Sequence, residues 1–427
     1  MAYPDNHPLR FELSDEVHAR PPEALTPPLR LSYLALMSEP SRREAELRHL
    51  ADLAIRFGAV PPTPQANHYS VDLGAFRLRW ERHTEFSRYI VIVPGAGEVS
   101  FAEPATATVP AEWLAGIPGQ ILVADHAVLV RDEQPDPEAL SERSFAGNAL
   151  VGASVSGGAA LAYTDVRIHP DGFGRLLVID RGMTQRQAGR TIQRLLEIDT
   201  YRLLALLAFP VARRLAPDLT EWERELARIT AALARGGEHD EPLLLDRLTR
   251  LEAEIDSRRA DDHFRFTAAE AYYALVRQRI EELREERLEG LQTFGEFTQR
   301  RLAPAMNTCA SVAARLGSLS ERVARTTQLL STRVDIARQS QNQAVLESMN
   351  RRAALQLRLQ ETVEGLSVAA ITYYIVGLVG YAAKGLKAAG LALDPDLAMG
   401  LSIPVVLAVT AFGIRRIRRH VTKGPEF

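Results

Sequence analysis

The sequence has one cysteine, three lysines and no recognisable catalytic signature in its 427 residues. A lone Cys309 excludes an internal disulfide framework and a multi-cysteine metal knuckle, and it predicts a reducing compartment for the bulk of the chain. No Walker loop, nucleophile elbow or His-Glu-x-x-His pattern occurs, so hydrolase and NTPase readings have no support. We expect neither an enzyme nor a bound cofactor. The net charge of −3 argues against a nucleic-acid partner. The opening MAYPDNHPLRFELSDEVHARPP lacks an apolar core, which predicts no cleavable leader and a cytoplasmic location for the bulk of the chain.

Charge is also missing from two C-terminal stretches, Gly365–Ala383 and Leu397–Ile414. A charge-free run of roughly 18 residues is long enough for a helix to cross a bilayer. Two such runs predict a transmembrane hairpin with the lipid bilayer as partner. Arg351, Arg352 and Arg358 precede the first, and Arg415, Arg416, Arg418, Arg419 and Lys423 follow the second. In the connection, Lys384 and Lys387 balance Asp394 and Asp396. The basic outer flanks predict two passes with both termini cytoplasmic. The alternative is an apolar hairpin buried inside a soluble oligomer.

Upstream, residues 1–40 are proline-rich and read as an irregular arm. A helix follows from Ser38, with Ser41 and Glu44 at capping-box spacing and Gly58 as its stop. From Tyr69 the period becomes two. Phe76, Leu78, Trp80 and Phe86 share one face of a strand, and Arg77, Arg79, Glu81, His83 and Glu85 a charged outer face. RYIVIVPG and QILVADHAVLV read as central strands, and 149–180 supplies two or three more, with a turn at His169-Pro-Asp-Gly-Phe-Gly. After Thr184 strands give way to charged helices with apolar residues every three or four positions, a pattern for bundle or coiled-coil packing. The last of these begins near Pro304 and runs into the first apolar stretch. Unbroken to Ala383, it would be about 120 Å long, a stalk rather than a core helix.

The predicted fold is thus an α+β cytoplasmic domain (41–183) after the arm, a helical coiled-coil stalk (184–363), a two-helix transmembrane hairpin (364–414) and a basic tail (415–427). Several residues carry competing readings. Gly95 and Gly97 suggest a phosphate-binding turn, but a plain turn fits better because no third glycine follows. His18, beside Glu16 and Arg20, is a ligand candidate or a surface histidine. Glu81, His83 and Glu85 have the spacing of a metal site, while the nearby arginines favour a salt-bridge ladder. Arg186, Arg190, Arg194 and Arg202 form a helical stripe for headgroups, a partner, or acidic neighbours. Arg415, Arg416, Arg418 and Arg419 are further headgroup candidates. Glu270, Tyr272 and Tyr273 read as a helix interface. In the first span, Ser367, Thr372, Tyr373 and Tyr374 are pore-lining candidates, and Asp394 with Asp396 a candidate outer acidic ring for a divalent cation. Gly377 and Gly380 predict close helix contact.

DEVHARPP, RWERHTEF and LLSTRVDIARQSQNQAVLESMNRRAALQLRLQETVEGLSVAAITYY together resemble a bacterial family catalogued as domain of unknown function 3422, over about residues 6–420. That resemblance implies a membrane anchor, hence the inner membrane, and no defined activity. The layout is also similar to CorA-type magnesium transporters, which implies a homo-oligomer whose first span lines a pore. Leu366-Ser367 stands where that family has Leu-Thr, but Lys384-Gly385-Leu386 replaces its Gly-Met-Asn signature. A lysine there repels a divalent cation, so magnesium selectivity does not carry over. The expectation is a CorA-like membrane protein that passes or senses cations; the alternative is a membrane-tethered scaffold or binding module.

Overall fold

The structure is a computed structural model. It describes every residue except 1–3, 5, 12, 15–21, 96–98, 132–134, 236–239, 391–393 and 422–427, and for 417–421 the backbone alone. It divides into two compact units, Met1–Thr327 and Gln328–Phe427. In chain order the elements are β1 (Leu29–Met37), α1 (Arg43–Arg56), β2 (His68–Asp72), β3 (Arg77–Arg82), β4 (Phe86–Pro94), α2 (Ala111–Ala115) and β5 (Gln120–Val130). Next come α3 (Pro137–Ser144), β6 (Val151–Val155), β7 (Ala160–Thr164), β8 (Gly174–Asp180), α4 (Gln185–Leu206), α5 (Ala208–Arg235) and α6 (Glu241–Leu283). The chain continues through β9 (Glu286–Arg287), α7 (Phe294–Arg301), α8 (Ala303–Ala388) and α9 (Pro395–Val421). This is an α+β sheet unit followed by long helices.

The described strands form one nine-stranded sheet in the order β2-β3-β4-β1-β5-β8-β7-β6-β9. Neighbours are antiparallel except β5 and β8, which run parallel at its centre. The strand β1 corrects the reading of residues 1–40 as irregular. Its apolar run LRLSYLALM lies between β4 and β5 and is buried along nearly its whole length. A strand covered on both faces has no alternation to betray it. A second correction is β9, which adds two residues to the edge of β6 after the helices have begun.

Alternation sorts the two faces. On one, Leu34, Leu78, Trp80 and Tyr89 pack with Leu50 and Leu53 of α1 and Trp113 of α2. Farther along the same sheet, Val128, Leu161, Tyr163 and Leu177 pack with Phe101, Phe145 and Leu140 of α3. The other face is covered by α4, where the Tyr33 hydroxyl lies 2.7 Å from Thr200 Oγ1. Helix α4 starts at a capping box: Thr184 Oγ1 accepts from the Gln187 N–H at 3.3 Å, and Gln187 Oε1 accepts from the Thr184 N–H at 2.9 Å. The capping box expected at Ser41 is absent. Residues Pro40–Arg42 form a 3-10 turn, and the Ser41 hydroxyl donates to Glu39 at 3.4 Å instead. Gly58, at φ +69°, closes α1 as expected.

In the second unit, the later part of α8 and α9 are both long and apolar enough to cross a membrane by length and composition. Thr372 Oγ1 lies 3.1 Å from Thr410 Oγ1, and a Cβ on Gly380 would stand 2.5 Å from Met399 Sδ. Gly377, by contrast, faces open space. The apolar rhythm of α8 therefore has two fates: Val312, Leu316, Leu319 and Val323 are buried, whereas Leu355, Leu359 and Leu366 are exposed.

Candidate functional site

Beyond Arg77, which stays exposed, the face of β3 expected to carry charge outward carries it inward. Arg79 and Glu81 are buried, Glu81 completely, because α4 and α6 cover that face. Arg79 Nε donates to Glu81 Oε1 at 2.6 Å, and Arg88 Nε on β4 donates to Glu81 Oε2 at 2.9 Å. Arg88 Nη1 reaches Glu197 Oε1 of α4 at 3.1 Å, and Arg279 Nε of α6 reaches Glu197 Oε2 at 2.5 Å. Arg279 Nη1 then meets Glu282 at 3.1 Å, and Arg194 Nε meets it at 3.0 Å. The result is an unbroken alternation of four arginines and three glutamates from sheet to helices. Burial opposes the charge on Glu81 and Glu197, but the arginines outweigh it, Arg88 first, and hold both carboxylates below their ordinary range. Arg88 is affected in the same way: burial disfavours its charge, and Glu81, then Tyr33 and Glu197, more than restore it.

Of the salt-bridge ladder read from the strand, the Arg79–Glu81 pair is present but internal, and Arg88, Glu197, Arg279 and Glu282 extend it; Arg77 stays outside with Glu23 and Asp72. Glu85 leaves it and is paired with Arg265 and, at 2.9 Å, the Tyr272 hydroxyl. Tyr272 stacks on Tyr201 with ring centroids 5.8 Å apart. Of the arginine stripe, Arg186 is exposed, Arg190 and Arg194 line a polar surface pocket with Arg284, and Arg202 pairs with Asp199. Among the described residues, no cluster of three or more His, Cys, Asp or Glu side chains is arranged to hold a metal. His18 and Gly97 lie outside the described residues, as do the side chains of Arg418 and Arg419.

In the second unit, Tyr373 and Tyr374 are 78% and 70% exposed, whereas Thr372 is buried against α9. The Ser367 hydroxyl donates to its own helix at Val363 O. Asp394 and Asp396 are exposed, and Asp394 Oδ1 accepts the Asp396 N–H at 3.0 Å, which caps the start of α9. Arg415 and Arg416 are exposed near its far end.

The strongest chemical site in the N-terminal unit was not legible as one. A cavity of about 190 Å³ lies between β5, β8, α4 and α7. Asp125 of β5 lines it, and its carboxyl is buried with Oδ2 lacking a hydrogen-bond partner. The space for that carboxyl exists because residue 174, opposite it on β8, is glycine: a Cβ there would collide with Asp125 Oδ1. Burial, and then the nearby Asp199 carboxylate, push Asp125 well above the usual carboxylate range, against the pull of Arg202. Asp199 is held by Arg202, whose Nε donates at 3.0 Å.

The rim of the cavity is also built. Asp165 accepts from Asn148 Nδ2 at 2.8 Å, lies 2.9 Å from His169 Nε2, and accepts the Arg167 N–H at 3.3 Å. Between these anchors Val166 sits at φ +54°, a strained conformation for a β-branched residue. The signal in the sequence was the Asp125-His126 pair breaking the apolar run of β5. Strand alternation sends the two to opposite faces, and His126 stacks on Phe173 at 3.9 Å and bonds Ser32 Oγ at 2.8 Å.

A family model described as Protein of unknown function (DUF3422) matches residues 5–421. No curated protein matches the chain.

Proposed function

The chain belongs to the family described as Protein of unknown function (DUF3422), and from that premise we propose that it is a two-pass membrane-anchored binding module. In this reading α8 and α9 form a transmembrane hairpin in the bacterial inner membrane, both termini are cytoplasmic, and the helices before the hairpin act as a coiled-coil stalk. The observation that carries the anchor is the outward direction of apolar side chains. Leu366, Leu378, Tyr381, Leu401 and Phe412 are 67–78% exposed within the two charge-free stretches, Gly365–Ala383 and Leu397–Ile414. Water does not tolerate that much continuous apolar surface, and lipid does. The binding role rests on the cavity at Asp125, a small, largely apolar hollow with a few convergent polar groups.

The test uses full-length protein in bacterial membranes. The anchor requires resistance to alkaline carbonate extraction. A Cys309→Ser chain carrying Ala389→Cys should react with an impermeant maleimide from outside, and one carrying Ser41→Cys only after lysis. Release by carbonate, or labelling of both positions in intact cells, overturns the anchor.

A second reading, a CorA-like homo-oligomer passing or sensing a divalent cation, is favoured by the exposure of Asp394 and Asp396 together with Tyr373 and Tyr374. Asp394 also caps the start of α9. The detergent-corrected mass decides first: a ring-sized assembly, especially a pentamer, supports a pore, and a monomer or dimer excludes one. In liposomes, replacing Asp394 and Asp396 by Asn should lower cation flux. Unchanged flux removes the acidic ring.

A further inference from the structure

We propose that the cavity beneath α4 binds a small organic ammonium ion, its nitrogen paired with the Asp125 carboxylate and its apolar body lying against Leu196, Leu203 and Phe294. This deepens the reading of the N-terminal unit as a binding module and is independent of the membrane anchor. The carrying observation is the buried carboxyl: Asp125 is 8% exposed and lines the cavity, and Oδ2 has no partner. A buried carboxyl without a hydrogen-bond partner is costly, and one on a cavity wall gains by pairing with a cation that enters there.

The size follows from the volume. A dry cavity of about 150 Å³ accommodates benzene, so about 190 Å³ takes a single ring or short chain with a head group. The charge follows from what faces Asp125. Asp199 is the nearest charged group of α4 and repels a second negative charge. Arg202, the cation beside it, is committed to Asp199. Arg175, although its backbone borders the cavity, turns to the opposite face, donates to Ser144 O at 2.6 Å and lies over Phe101. Arg167 stands at the exposed rim. From α7 the polar neighbour is Thr298, which has no charge to offer.

Three ligand chemistries can then be ranked. An anion meets the Asp199 carboxylate on the cavity wall. A neutral carbonyl receives one hydrogen bond from protonated Asp125. An ammonium gains an ion pair with ionised Asp125 and the attraction of Asp199 as well, and it relieves the repulsion between the two carboxylates. Because burial and Asp199 favour the protonated form of Asp125 in the empty cavity, pairing with the ammonium draws its proton off. The Asp125 O–H proton leaves to solvent, the carboxylate pairs with the ammonium, and the ligand keeps its own protons. Affinity therefore rises with pH up to the range where free Asp125 itself ionises.

The experiment is calorimetric titration of the full-length protein at pH 7 with benzylamine, acetophenone and benzoate, each in two buffers of different ionisation enthalpy. The expected result is preferential binding of benzylamine accompanied by proton release. Asp125→Asn should weaken benzylamine at least tenfold and abolish the proton release. That variant is isosteric and removes a group whose charge the fold disfavours, so its melting temperature should match or exceed the parent's. Asp199→Asn should lower the proton release, because Asp125 then ionises more readily without a ligand, a readout that a merely structural role would not move. Acetophenone binding as tightly as benzylamine, or benzoate binding best, overturns the ammonium assignment alone. Unchanged benzylamine affinity in Asp125→Asn does the same. Binding of none of the three removes the binding-module reading with it.

Discussion

Leu50 and Leu366 carry the same side chain into opposite surroundings. Leu50 is 0% exposed between α1 and the sheet, and Leu366 is 74% exposed on α8. Charge is distributed the other way. The N-terminal unit encloses Glu81, Arg88 and Glu197, while the apolar stretch from Gly365 to Ala383 has no charged residue at all. On the membrane-anchor reading proposed above, the contrast separates two solvents. In water a domain hides its apolar groups and admits a charge only with a partner; in lipid the penalty on unpaired charge remains and the penalty on exposed leucine disappears.

The sharpest way to break the contrast in the N-terminal unit is Arg88→Met. It leaves Glu81 and Glu197 each with one arginine fewer inside the fold. Breaking a buried ion pair costs ~3–5 kcal/mol, and we expect about 3 kcal/mol because Arg79 and Arg279 remain. Denaturant unfolding measures it; a loss below about 1 kcal/mol would show that the network is not tightly buried.

In the C-terminal unit the corresponding change is Leu378→Arg, at a position 67% exposed. An arginine at a helix centre opposes membrane insertion by about 2.5–3.5 kcal/mol. Membrane-bound protein should fall sharply in carbonate-washed fractions, with the melting of the N-terminal unit unchanged. On a water-facing helix the same substitution would be neutral, so unaltered fractionation contradicts the lipid assignment.

Acid gives a graded effect on the first unit. The carboxylates of Glu81 and Glu197 are held below their ordinary range. Their contribution is complete above the unfolded glutamate value of about 4.3 and is lost as the pH falls from there through the lower folded values. Thermal melting at pH 6 and at successively lower pH should show that loss, and Glu81→Gln should flatten it. The smallest effect is Thr372→Val, which removes the side-chain contact to Thr410. Interhelical hydrogen bonds between membrane helices average about 0.6 kcal/mol, so thermal separation of the two helices should shift only slightly.

Legibility followed what a local pattern can encode. The strand from Arg77 announced its two faces by alternation, yet alternation cannot say what covers the charged one, and α4 and α6 lie more than a hundred residues downstream. β1 was missed because burial on both faces erases alternation, and the prolines before it suggested irregular chain. Asp125 interrupts an apolar strand, and that it lies on one cavity wall with Asp199, over a glycine at 174, depends on β5 pairing in parallel with β8.

Periodicity, charge-free length and flanking arginines are properties of neighbours along the chain. They were enough to mark the strands from Arg77 to Asp180, the helices after Thr184 and the two apolar stretches near the C-terminus. Partnership belongs to residues far apart in sequence. Arg88 with Glu197, and Asp125 with Asp199, acquire their chemistry when the fold removes water and brings their side chains together. At close range in a low-dielectric interior, electrostatics outweighs the local preferences a sequence displays.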